Sequence, residues 1–304
     1  MKIIYLGTPD FAVKALEAIN NSKHEILAVV TQPDRPFGRK AVITPCAVKQ
    51  KAVELGLKTL SYEKIRLEGV EDLKALNPDI MVTCAFGQIL SSEILEIAKY
   101  GVINIHASLL PKYRGSAPIQ YSVINGDSKT GVTIMQTEVG VDTGDILMQK
   151  EIDILPDETA GELFDRLSLL GAEIITEALD NIENGVITRT PQNEALATHV
   201  KMLSKKDGEI DFSKPAIDIK NLVRGLNPWP IAYTYFGDKT LKIYKAEVSA
   251  LKGGIGEVLS LDNGITIGTG ENSITLLEVQ LEGSKKMPVK DFLLGHKINV
   301  GYKF

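Results

Sequence analysis

Cysteine is nearly missing from this chain of 304 residues: Cys46 and Cys84 are the whole complement, with no metal-ligand spacing and no histidine beside them. That excludes a disulfide framework and fits a reduced compartment. Histidine is as sparse. His24, His106, His199 and His296 are scattered, which argues against a histidine metal site. No apolar run reaches membrane-spanning length, and residues 2–6 enter a strand directly where a secretory leader would need a charged and then an apolar region. A cytoplasmic location is expected. Excess positive charge is lacking too: 34 Lys and Arg against 39 Asp and Glu leave −5. That balance argues against a nucleic-acid binder held by bulk charge, while leaving room for one local basic face. The glycine fingerprint of a dinucleotide site is absent. The turn after the first strand reads Gly7-Thr8-Pro9-Asp10-Phe11-Ala12, without the three glycines that let a backbone approach a pyrophosphate. Neither an internal repeat nor a low-complexity tract occurs.

What is present is enough for two ordinary domains, with 44% hydrophobic and 24% charged residues, as in globular proteins. Residues 2–6 and 26–31 read as strands flanking a helix over 10–20, the strand–helix–strand signature of a parallel sheet. Residues 31–40 read as a loop, since two prolines and a glycine prevent a helix. It carries Arg35, Arg39 and Lys40. Helices are expected over 45–56, 69–76, 91–99 and 118–125, and strands over 80–85, 132–138 and 146–152. A long apolar periodicity over 159–185 predicts the helix that closes the first domain. Residues 189–207 turn polar and extended and read as a linker, giving domains 1–188 and 208–304. Past a helix over 216–226, short β segments separated by Gly, Asp and Asn suggest a small barrel or sandwich. From Ser204 onward 14 Lys and Arg face 12 Asp and Glu, so this part is mildly basic and the rest carries −7.

The chemistry concentrates in Gly101 to Gly115. The strand Val102-Ile103-Asn104-Ile105-His106 interrupts its apolar run with two polar residues two apart, so an amide and an imidazole share one strand face. Polar groups so placed cost stability unless something satisfies them. Farther on, Gly140 and Gly144 bracket a tight loop presenting Asp142 and Asp145, and spacing does not choose between the two acids. The strand over 80–85 opens into Phe86-Gly87-Gln88-Ile89-Leu90, at the kind of strand end where open α/β sheets bind ligands.

Together these segments resemble the formyltetrahydrofolate-dependent formyltransferases. The resemblance rests on Leu6-Gly-Thr-Pro-Asp-Phe-Ala12, Asn104-Ile-His-Ala-Ser-Leu-Leu-Pro111 with Tyr113-Arg-Gly115, Gly131-Val-Thr-Ile-Met-Gln136 and Val141-Asp-Thr-Gly-Asp145. Gln32-Pro-Asp-Arg-Pro36 and Asn227-Pro-Trp-Pro230 resemble the branch of that family acting on methionyl-tRNA. The resemblance implies an α/β, Rossmann-like N-terminal domain with a parallel sheet and a C-terminal OB-like β-barrel. It also implies transfer of the formyl group of 10-formyltetrahydrofolate to the α-amine of initiator methionyl-tRNA, by a monomeric cytoplasmic enzyme with no metal. It assigns Asn104 to the oxyanion, His106 to charge stabilisation or proton shuttling, and Asp142 to orienting His106 and accepting a proton from the amine. Folate would lie along Ser108, Leu109, Leu110 and Pro111, its pterin ring reaching Phe86, Gly87, Ile89, Leu90 and Val141. Arg35, Arg39, Lys40, Lys205 and Lys206 would meet tRNA. The stretch after Arg39, Lys-Ala-Val-Ile, is less basic than the resemblance leads one to expect.

Overall fold

The computed structural model describes residues 1–38 and 41–304; Arg39 and Lys40 lie outside the described residues. The chain divides into two compact units. The first takes in residues 1–115, 130–152 and 164–200, and the second 116–129, 153–163 and 201–304. Two inner segments therefore join the C-terminal part, which a single cut in the sequence does not capture.

In the first unit the strands in chain order are β1 (Lys2–Gly7), β2 (Glu25–Thr31), β3 (Arg35–Phe37), β4 (Val42–Thr44), β5 (Thr59–Ser61), β6 (Ile80–Cys84), β7 (Val102–His106), β8 (Arg114–Gly115), β9 (Lys129–Gln136), β10 (Ile146–Asp153) and β11 (His199–Val200). Seven of them form one sheet in the order β10-β9-β7-β6-β1-β2-β5. The run from β5 to β7 is parallel, and β9 joins β7 antiparallel. Ile3, Ile4, Tyr5 and Leu6 of β1 have no exposed surface, as a parallel strand covered on both faces requires. Burying each such side chain stabilises by about 1.5–3 kcal/mol. Cys84 ends β6 wholly buried, and burial pushes its thiol up to about 12. Cys46 is partly exposed. A thiol reagent at pH 8 should therefore titrate one cysteine in the native protein and two in guanidinium chloride; two fast-reacting thiols in the native state would contradict this packing.

Three sequence expectations are corrected. The loop over 31–40 contains β3, which pairs antiparallel with β4; Pro36 is tolerated because the ribbon has only two strands, so its missing N–H can sit on an edge. The helix expected over 91–99 is regular only at Ser92–Leu95, capped by Ser91, whose side chain accepts from the Ile94 N–H. The segment read as a linker carries secondary structure: β11 pairs parallel with β8, and the short 3-10 helices Glu194–Leu196 and Lys205–Gly208 flank it.

In the second unit, β12 (Ala232–Phe236), β13 (Lys239–Ser249), β14 (Val258–Ser260), β15 (Ile265–Gly268), β16 (Ser273–Leu281) and β17 (Met287–Pro288) form an antiparallel sheet in the order β12-β13-β16-β15-β14, with β17 on β16. Register shifts at Ile243–Lys245 and Lys245–Ala246 mark bulges that bend β13 and curl the sheet, the OB-like form expected. Its inner face packs Leu241, Ile243, Ile265, Ile274 and Val279 against Ile219 and Val223 of the helix Ala216–Gly225.

Candidate active site

The site is built at the carboxyl end of β7, within the first unit. The Asn104 side chain is fixed from the neighbouring strand: Thr83 Oγ1 donates to Asn104 Oδ1 at 2.8 Å. With its oxygen so engaged, the carboxamide has its N–H pair left to give. His106 follows two residues on, only 6% exposed. Its Nε2 lies 3.0 Å from the Tyr113 carbonyl oxygen. A carbonyl only accepts, so Nε2 carries the hydrogen and Nδ1 is the ring atom free to exchange a proton. That Nδ1 faces Asp142 Oδ2 at 3.6 Å, beyond a hydrogen bond yet close enough for one reacting atom to touch both.

The two acids of the loop after β9 differ in what they touch. Asp142 turns its carboxylate to His106, while Asp145 gives its backbone carbonyl to the Gln136 N–H. Asp142 has φ +54°, a left-handed conformation that Asp and Asn tolerate better than most residues. Its Oδ2 also accepts the Gly115 N–H at 2.9 Å. Gly115 has φ +113°, and a Cβ there would meet the Val200 carbonyl oxygen at 2.2 Å, so the contact requires glycine.

Sequence reasoning missed the support behind the site. Gln192 Nε2 donates to the carbonyls of Asp142 and Gly144, both at 2.8 Å, pinning the acidic loop at two points. Its Oε1 accepts from Arg114 Nε and a terminal Arg114 nitrogen at 3.0 and 2.9 Å. Arg114 is 1% exposed and also grips Glu194 in a bidentate pair. That pairing raises the guanidinium further above its ordinary value. Thr198 holds the adjacent turn, accepting the Tyr113 N–H on its hydroxyl and donating its own N–H to the Pro111 carbonyl. The signal for this layer was faint: a polar Gln192-Asn-Glu194 stretch without apolar period, matched to partners some fifty and eighty positions away.

Around this centre lie the residues expected to meet folate. Ser108 is wholly buried, with Oγ donating to the Lys112 carbonyl and its own carbonyl accepting from Thr133 Oγ1. Leu110 is fixed at both backbone groups, by Thr133 and by Gln149, while Leu109 and Pro111 are half-buried. Phe86 is core, packed with Leu90, whereas Ile89 and Val141 are exposed. Gln32 Nε2 donates to the carbonyls of Phe86 and Gly87, so the first residue of the Gln-Pro-Asp-Arg-Pro stretch pins the loop after β6. Arg35 forms an exposed ion pair with Glu63 at 2.6 Å. Lys205 and Lys206 are exposed on their 3-10 helix.

Among the described residues one set, His24, Asp180 and Glu183, has potential metal-ligand atoms within 4.8 Å of one another. Lys23 already pairs with both carboxylates there. No helix among the described residues is long and apolar enough to cross a membrane.

Comparison with known proteins gives the chain its family. The family model described as Formyl transferase matches residues 1–179, and that described as Formyl transferase, C-terminal domain matches residues 202–297. The chain is 48% identical over 305 residues to the methionyl-tRNA formyltransferase of Geobacter metallireducens, covering 100% of this chain and 98% of that protein. It is 47% identical over 310 residues to the one of Agathobacter rectalis, covering 100% and 99%. The fold is shared with an N-formyltransferase from Helicobacter canadensis solved with folinic acid and dTDP-3-aminofucose, at TM-score 0.70 and 21% identity, covering 91% of this chain and 98% of that one. By these full-length matches the chain belongs to the methionyl-tRNA formyltransferase family.

Proposed function

We propose that this chain transfers the formyl group of 10-formyltetrahydrofolate to the α-amine of initiator methionyl-tRNA, with Asn104, His106 and Asp142 as its catalytic residues. The observation that carries the reading is an imidazole facing a carboxylate at 3.6 Å, two residues along its strand from an anchored carboxamide. The family named by the nearly half-identical relatives supports the acceptor.

The reaction is acyl transfer through a tetrahedral intermediate. It needs an uncharged amine, donors for the oxyanion and a proton for the departing nitrogen. Asn104 gives its amide N–H to the oxygen as charge develops. Thr83 holds the amide oxygen, so the donor is in place before the reaction begins. Asp142 accepts the proton released by the attacking amine. His106, with Nε2 held by the Tyr113 carbonyl, moves protons at Nδ1. Folate lies along Ser108 to Pro111, and the exposed apolar Ile89 and Val141 are available to cover a flat ring. Domain 1–188 carries the chemistry, and residues 208–304 with Lys205 and Lys206 engage the tRNA. The enzyme acts in the cytoplasm as a monomer.

The deciding test supplies labelled 10-formyltetrahydrofolate with methionyl-tRNA or with a nucleotide-linked sugar amine and follows the label. Label on the sugar alone would refute the acceptor, and label released as formate with neither would refute transfer. Gln192→Ala is expected to lower kcat by about 10- to 100-fold, because releasing two carbonyls lets the Asp142 loop drift from a geometry that tolerates little error. Steady-state kinetics on purified protein of unchanged circular dichroism would check this, and an unaltered kcat would remove Gln192 from the machinery.

A further inference from the structure

The second unit carries an aromatic and basic concavity on its curled sheet, which the chemistry above does not use. β12 alternates: Ala232 and Thr234 are buried, whereas Tyr233 is half-buried and Tyr235 is 47% exposed. The two tyrosines are two apart and so share the outer face, with ring centroids 5.7 Å apart at 86°. Register sets Lys242 opposite Tyr233, Thr240 opposite Tyr235 and Gln280 opposite Lys242. The row continues through Tyr244, whose hydroxyl donates to Gln280 Oε1. Lys205 arrives from the neighbouring turn, which the reciprocal cap of Ser204 and Asp207 closes and the Ile210 N–H holds to the Tyr233 carbonyl. Lys205, Tyr233, Tyr235, Thr240, Lys242 and Gln280 line a cavity of about 430 Å³, and Glu282 lines it too.

Among the described residues Lys205 and Lys242 have no carboxylate within salt-bridge distance. An exposed aromatic face costs free energy in water, and two unpaired ammonium groups beside it attract anions. A ligand with a flat ring and a phosphate satisfies both at once, and stacking on aromatic side chains with lysines tracking the backbone is how single-stranded nucleic acid is held. A neutral peptide would leave the two cations unanswered.

We infer that this concavity is a subsite for one unpaired nucleotide of the tRNA, its base stacked on Tyr235 and its phosphate on Lys205 and Lys242. The inference rests on tRNA being the acceptor substrate, so the test uses two independent readouts on the full chain. The first is the KM for methionyl-tRNA in formylation. The second is direct binding of fluorescein-labelled single-stranded rA6, followed by anisotropy. Tyr235→Ala is expected to raise that KM about tenfold or more while sparing kcat, and to weaken rA6 by a similar factor. Tyr235→Phe, which keeps the ring, should restore both. Lys242→Gln should lower the salt slope of binding by about one. If Tyr235→Ala and Lys242→Gln leave KM and rA6 binding unmoved, or if rA6 binds with no dependence on either residue, the subsite is refuted. Should the wild type bind rA6 through Tyr235 yet fail to formylate methionyl-tRNA, the acceptor reading falls and the nucleotide subsite stands.

Discussion

Asn104→Ala is expected to slow formyl transfer by about 100- to 1000-fold, with little change in the KM for folate or tRNA. The reason lies in when the amide does its work. A ground-state formamide oxygen carries little charge, whereas the tetrahedral intermediate concentrates a full negative charge on the same atom. A donor already aimed at that point stabilises the second state far more than the first, so its loss appears in kcat. Thr83 makes the aim firm, because its hydroxyl donates to Asn104 Oδ1 and leaves the N–H pair available to donate. Thr83→Val gives a weaker version of the same experiment: the amide remains but can rotate. Its rate should fall between those of wild type and Asn104→Ala. Single-turnover measurements at saturating substrates separate the chemical step from release. A rate within about threefold of wild type for Asn104→Ala would place the oxyanion donor elsewhere, since this is far below the loss such donors usually show.

How far the sequence disclosed this site depended on how far apart the interacting residues lie along the chain. Asn104 and His106 were legible because strand geometry alone places residues two apart on one face, and the glycines around Asp142 announced a tight loop. The choice between Asp142 and Asp145 was not legible, because it is set by which carboxylate meets the Gly115 N–H, a partner 27 positions away. Gln192, Arg114 and Glu194 were harder still. Their residue types suit a solvated surface, and only folding buries the guanidinium and supplies its acceptors. The parallel sheet could be read from strand–helix–strand apolar runs, whereas β3 and β11 could not, being two or three residues long with a proline or a histidine inside them. The helix over 91–99 was overextended for a related reason: apolar spacing persists there after the backbone has turned away.

Asp142→Asn is expected to reduce the rate by about 100-fold or more, toward the upper range of general acid–base effects. The substitution is chosen for what it keeps. Asn tolerates the left-handed backbone that residue 142 adopts at φ +54°, and its amide oxygen still accepts the Gly115 N–H, so loop and strand should stay in place. What disappears is the charge facing His106 Nδ1 and the carboxylate assigned to take a proton from the incoming amine. With Nε2 bound to the Tyr113 carbonyl, the imidazole cannot take over through its other nitrogen without breaking that bond. Asp142→Ala removes the charge and the hydrogen bond together, and adds backbone strain of about 1 kcal/mol or more at a positive φ. It should therefore lose both activity and thermal stability, whereas the Asn variant loses activity alone. An Asn variant with a wild-type rate would leave His106 to act without its acid, and the chemistry would need another base.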